Sequence, residues 1–166
     1  MGRWSNKDST DDYYSISTKF LKKHGYFSSQ GFKSGRVSWS RGGEVRSSVG
    51  IAVSVSSDND EIRFQYISTS RSSGEKTERD YTVQLVTTPC NYGGVRWWFI
   101  CPLVKNGVFC QRRLGVLYLG SAYFGCRHCF ELNYQSSKDS HKFDWMFRKM
   151  GVSSKVGNQM MRKMFQ

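Results

Sequence analysis

Between Gly31 and Val86 hydrophobic and polar residues alternate with a period of two. Four runs carry the pattern: Phe32 to Trp39, Val45 to Ser54, Ile62 to Tyr66 and Tyr81 to Val86, with Val, Ile, Tyr and Thr frequent. Such alternation places one set of side chains on each face of a strand. The breaks carry turn chemistry, in Arg41-Gly42-Gly43, Ser57-Asp58-Asn59-Asp60 and Arg71-Ser72-Ser73-Gly74. Four strands joined by three turns predict an antiparallel meander with one wet face. The polar segment 68–80 reads as an exposed hairpin loop. Thr87 to Gly94 contains Pro89 and a glycine pair and reads as a turn. Beyond it, the apolar run Val95 to Ile100 reads as another strand of the same sheet, one that delivers Cys101.

The ends follow a different period. Residues 1–12 are polar and read as a loose terminus. Tyr13, Ile16, Phe20 and Leu21 fall near one face of a helix over residues 13–24, and Gly25 supplies its stop. After Tyr134, Phe143, Met146, Phe147 and Met150 follow helical spacing. A second short helix from Ser154 carries Val156, Met160, Met161, Met164 and Phe165. A methionine-rich terminus of this kind packs either on its own sheet or on another chain. The pattern therefore predicts an α+β, β-rich protein with an antiparallel sheet, an N-terminal helix and C-terminal helices. Its expected parts are 1–94 (helix and sheet), 95–137 (a cysteine-bearing segment sharing the sheet's core) and 138–166 (amphipathic helices).

Four of the five cysteines lie in the middle part, as Cys101-x8-Cys110 and Cys126-x2-Cys129. Two cysteine pairs separated by a short strand-turn-strand segment are the signature of a zinc ribbon. A C-x2-C turn sets two thiolates on one side of an ion, and Cys101 and Cys110 supply the other two. Their spacing is wide for a tight turn, so that half reads as an enlarged loop. One structural Zn2+ is the expected cofactor, adding on the order of 10 kcal/mol to folding in modules of this size. Cys90 is an alternative to Cys101 or Cys110, although a small buried thiol is its ordinary reading. His128 lies inside the C-x2-C turn and faces solvent or a partner in most such turns; His24 and His141 have no ligand-like neighbours. Four cysteines close the coordination shell, and no general base or nucleophile pattern accompanies them. No catalytic residue and no small-molecule substrate is expected.

Charge adds a second theme. The formal net charge is +12 over 166 residues, which favours a polyanionic partner. Residues 1–94 carry 13 Lys and Arg against 10 Asp and Glu, whereas residues 95–166 carry 12 against 3. The excess belongs to the cysteine segment and the residues C-terminal to it. The candidate contacts are Arg96, Arg112, Arg113, Arg127, His128, Lys138, Lys142, Arg148 and Lys149. Two roles stand open for the arginines, neutralising a tetrathiolate centre or holding phosphates beside aromatic rings. Nucleic acid or a nucleoprotein complex is the first expected partner. The second is a host protein, for instance a defence complex that the chain inhibits or redirects. No apolar run approaches the roughly 20 residues that span a bilayer, and the N-terminus lacks a secretory signal, so a reducing cytoplasm is the expected compartment.

The segments GGVRWWFICP, CQRRLGVLYL and FGCRHCFELNYQSS resemble a group of uncharacterised bacterial proteins, often carried by phages and mobile elements. Their shared pattern is GG-x-R-W-W-F-x-C-P, a variable loop, C-x-R-R-x-x-x-L-Y and F-x-C-R-x-C-x-x-L-x-Y-x-S. The resemblance covers about residues 93–137. It implies that Cys101 pairs with Cys110, because the group tolerates different lengths between those positions, and it implies no particular activity.

Overall fold

The computed structural model describes residues 7–27, 31–56, 59–70, 73–120, 122–136 and 149–150. These fall into two compact units, Tyr13–Phe130 on one hand and Met1–Asp12 with Glu131–Gln166 on the other.

The larger unit is built on the alternating runs. A short strand β1 (Ser15–Ser17) leads into helix α1 (Thr18–Lys23), followed by the meander strands β2 (Gly31–Arg41), β3 (Glu44–Val55), β4 (Glu61–Thr69), β5 (Lys76–Pro89) and β6 (Val95–Ile100). Each pairs antiparallel with the next. The cysteine segment adds β7 (Val104–Lys105), β8 (Val108–Phe109), β9 (Arg113–Leu114), β10 (Val116–Leu119) and β11 (Phe124–Gly125). Strand β9 joins the meander beside β6, giving a six-stranded sheet, while β1, β10 and β11 form a separate three-stranded sheet.

The period-two pattern sets the core. Val37, Val49, Ile51, Val53, Ile62, Phe64, Val83, Leu85, Trp97 and Phe99 project from one face of the large sheet. Ile16, Leu117 and Phe124 from the small sheet and Leu21 from α1 join them in one cluster. Phe64 and Phe124 stack with ring centroids 4.6 Å apart. The Arg41–Glu44 hairpin closes over Gly42 and Gly43, both at positive φ, where a Cβ would be strained.

Two expectations about the helix and the meander are corrected. The helix expected over residues 13–24 is confined to Thr18–Lys23, because Ser15–Ser17 pairs with Val116–Tyr118. Pairing with β10 buries Ile16 as a strand residue, and the helix starts only where the Ser17 side chain accepts the Phe20 N–H at 3.1 Å. The polar segment 68–80 is mostly strand, since Ile67, Ser68 and Thr69 pair with Glu78, Thr77 and Lys76. Backbone ladder bonds do not need apolar side chains, so the ribbon continues into solvent beyond the core.

In the smaller unit Asp8 to Thr10 is tied to Asn133. The Thr10 N–H donates to the Asn133 carbonyl at 2.9 Å and the Asn133 N–H to the Asp8 carbonyl at 2.9 Å. Ser9 is buried there, so this part of the terminus is not loose. The helices expected after Tyr134 lie outside the described residues, apart from 135–136 and 149–150.

Candidate metal centre

Strand parity delivers the first ligand. Trp97 and Phe99 point into the core, so Cys101, two residues further along the same strand line, also enters on the core side and is buried. Its N–H donates to the Arg112 carbonyl at 3.0 Å, which holds it beside the second cysteine arm.

The eight residues between Cys101 and Cys110 are not an irregular loop. Strands β7 and β8 form a two-stranded hairpin in which Val104 faces Phe109 and Lys105 faces Val108. Asn106 and Gly107 close it with φ of 53° and 77°, the left-handed pair that a tight hairpin turn requires. The Cys110 N–H then donates to the Leu103 carbonyl at 2.9 Å, returning the chain to Cys101. This Asn-Gly pair is the signal in the sequence that marks the hairpin.

The second pair arises from β11. After Gly125 the chain folds into a knuckle in which the Cys129 N–H donates to the Cys126 carbonyl at 3.1 Å and to the Cys126 Sγ at 3.3 Å. Packing around it is close. A Cβ on Gly125 would run into the Leu103 side chain, and one on Gly120 into the Phe130 ring.

These arms bring the sulfurs of Cys101, Cys110, Cys126 and Cys129 within 4.8 Å of one another. Cys101 to Cys129 is 3.9 Å and Cys110 to Cys126 is 3.7 Å. A tetrahedral ion with sulfur at about 2.3 Å sets its ligands about 3.8 Å apart. The cluster therefore matches a closed four-sulfur metal site, with two ligands buried and two half-buried.

The thiols influence one another strongly. The Cys101 thiol as donor, then the Cys129 N–H and neighbouring sulfurs, hold Cys126 down to about 4. Cys101 moves far upward through the same hydrogen bond and its burial. Cys129 is pushed up to about 12, first by burial and then by the Cys110 and Cys126 side chains. Four thiolates so close together need a cation, and a bound metal deprotonates all of them.

A tyrosine network fixes the approach to the knuckle. The Tyr81 hydroxyl accepts the Phe124 N–H at 2.8 Å and lies 3.1 Å from the Tyr66 hydroxyl, which donates to the Ala122 carbonyl at 2.6 Å. Because the Tyr66 proton is used on Ala122, Tyr81 donates to Tyr66. Burial raises the pKa of both, which keeps this relay of protons in place. Arg79 donates to the Tyr123 hydroxyl at 3.0 Å. Meander and knuckle are thus joined through polar contacts that alternation alone does not reveal.

The other site residues expected from the sequence separate into groups. Arg112 lies 3.9 Å from the Cys110 sulfur, and the Cys126 and Cys110 sulfurs hold its guanidinium more firmly protonated. Arg127 is half-buried and His128 exposed within the knuckle; neither is in the four-sulfur group. Arg96 and Arg113 are exposed on the solvent side of the sheet, since their ladder partners are Thr88 and Ile100. Lys149 is exposed in the smaller unit, while Lys138, Lys142 and Arg148 lie outside the described residues. Cys90 is apart from the cluster. It closes the β5–β6 turn, its N–H donating to the Gly94 carbonyl at 3.0 Å.

Fold and site together define a β-rich protein whose antiparallel sheet carries a four-cysteine cluster able to hold a metal ion. Comparison with protein-family models, curated proteins and solved structures finds no match to this chain.

Proposed function

We propose that the chain is a zinc-stapled binding protein for nucleic acid, with its basic half as the contact surface. Zinc is the ion best suited to four thiolates in a tetrahedron with no open position, a structural rather than catalytic arrangement. Cys101, Cys110, Cys126 and Cys129 hold it, and its closed shell leaves chemistry at the metal without an entry point.

One observation carries the nucleic-acid reading. Arg96 lies over the Trp98 ring, 5.6 Å from its centroid, on the solvent side of β6. The Trp98 indole N–H donates to the Thr88 hydroxyl at 2.9 Å, which fixes the ring. Arg113 presents a second cation from the adjoining strand, across from Ile100. Cations beside a fixed aromatic ring match phosphate and base together, and both arginines belong to the half carrying 12 basic against 3 acidic residues. Of the two roles open to the arginines, Arg112 serves the sulfurs, whereas Arg96 and Arg113 face outward.

The test is binding of a labelled oligonucleotide across a salt series. With about four phosphates neutralised, log affinity falls with log salt at a slope of about −3, and Arg96→Ala with Arg113→Ala flattens it. A flat response, or no binding at low salt, overturns the reading.

A further inference from the structure

The solvent face that bears Arg96 and Trp98 continues past Ile100 into a groove of about 370 Å³. Its lining includes Thr82, Gln84, Ile100, Gln111 and Phe109. Register explains the continuity: Trp98 pairs with Val86, and the next outward position on β6, Ile100, pairs with Arg113 and lines the groove together with Gln84. The β7–β8 hairpin borders the groove through Phe109. There Phe109 is 64% exposed, and its ring makes no aromatic contact among the described residues.

Resting on the nucleic-acid reading above, we infer that this groove is a binding channel for single-stranded nucleic acid. The unpaired bases bridge from the Arg96–Trp98 layer to the Phe109 ring. Three features argue for single strands over a duplex. The two ends of the channel present flat π or guanidinium surfaces, and a duplex has its base faces already stacked on each other. Unpaired bases alone can use such surfaces. Between them Gln84, Gln111 and Thr82 offer donors and acceptors suited to base edges, which paired bases do not expose in full. The charge is also divided. Arg96 and Arg113 flank the path on the β6–β9 side, while Glu61 lines the groove on the β4 side. Phosphates therefore follow the arginines, and base edges turn toward Glu61 and the glutamines.

The hairpin is the element that makes this channel. A shorter turn between Cys101 and Cys110 would also set two ligands on one ion, but the wall that Phe109 provides would be gone. The wide cysteine spacing acquires a reason in this way. Phe109 is exposed and outside the core, so its removal leaves folding intact.

The experiment compares metal-loaded protein and its Phe109→Ala variant on a labelled 20-mer as single-stranded DNA, as single-stranded RNA and as duplex DNA. Wild-type protein is expected to bind the single strands more tightly than the duplex. Phe109→Ala should weaken single-strand binding roughly 5- to 100-fold, the worth of one stacked base, and leave duplex binding unchanged. Trp98 fluorescence should be quenched by the single strands. Equal affinity for single strand and duplex, or an unaltered Phe109→Ala variant, overturns the channel while leaving the nucleic-acid reading standing. No binding of any of the three at low salt overturns both, and a protein captured in their place would then mark the same face as a protein contact.

Discussion

The meander and the cysteine segment solve the same problem in different ways. Strands β2 to β5 run for 9 to 14 residues and bury Val, Ile, Leu, Phe and Tyr side chains from Val37 to Leu85 on one face. Strands β7, β8, β9 and β11 have two residues each, too few for a ladder to persist alone. Long alternation lets the first region hold itself by burial. The second is held by cross-links, namely four sulfurs, a knuckle and a tyrosine relay. The two regions should therefore fail differently.

The largest contrast comes from Cys126→Ser. Loss of the fourth sulfur should abolish metal binding and remove on the order of 10 kcal/mol from the cysteine segment. Hydrogen exchange is expected to show lost protection at the Cys110 and Cys129 amides, with the β3–β4 ladder around Val53 and Ile62 retained. Simultaneous collapse of both regions would erase the distinction. Phe64→Ala attacks from the meander side. Phe64 is fully buried and stacked on Phe124, so a loss of about 3–5 kcal/mol in chemical denaturation is expected, with metal content retained in the folded fraction.

Gly125→Ala is a finer probe. Its methyl group meets Leu103, whose carbonyl anchors the Cys110 N–H. A cost of about 1–3 kcal/mol with faster metal loss in a chelator competition is expected. A neutral result would mean that Leu103 yields freely.

The smallest effect is electrostatic and lies on the meander's wet face. Arg63 first, and then Gln65, hold the exposed Asp80 carboxylate down to about 2 from its ordinary 3.8. A depressed acid stabilises the fold above its unfolded pKa, and that contribution is lost as pH falls from about 4 through 2. Because the pair is exposed, Asp80→Asn should shift the acid-unfolding curve only slightly, and high salt should remove the difference.

Much of this was legible in the sequence, for physical reasons that differ by region. Alternation exposed the meander because one face had to be apolar, and Trp97 beside Trp98 divides between core and surface as strand parity requires. The four sulfurs were legible because metal chemistry demands that ligand set, and the structure brings those four together. Pairing was harder to see. Ser15–Ser17 lies in a strand because Val116–Tyr118 accepts it, a partner a hundred residues away that overrides helical spacing around Ile16. The ribbon that pairs Ile67–Thr69 with Lys76–Glu78 is mostly polar and rests on its backbone ladder with a few Ser68 side-chain bonds, so it left no periodic trace. Tyr81, Tyr66 and Phe109 carried no motif. Only the Asn106-Gly107 pair pointed to the hairpin on which Phe109 stands.

The most direct test of the staple is metal content measured together with folding on the intact chain. Elemental analysis should find one zinc per chain, and a strong chelator should remove it with loss of the dispersed amide resonances of residues 101–130. Zinc-free protein that keeps those resonances in place would contradict the account.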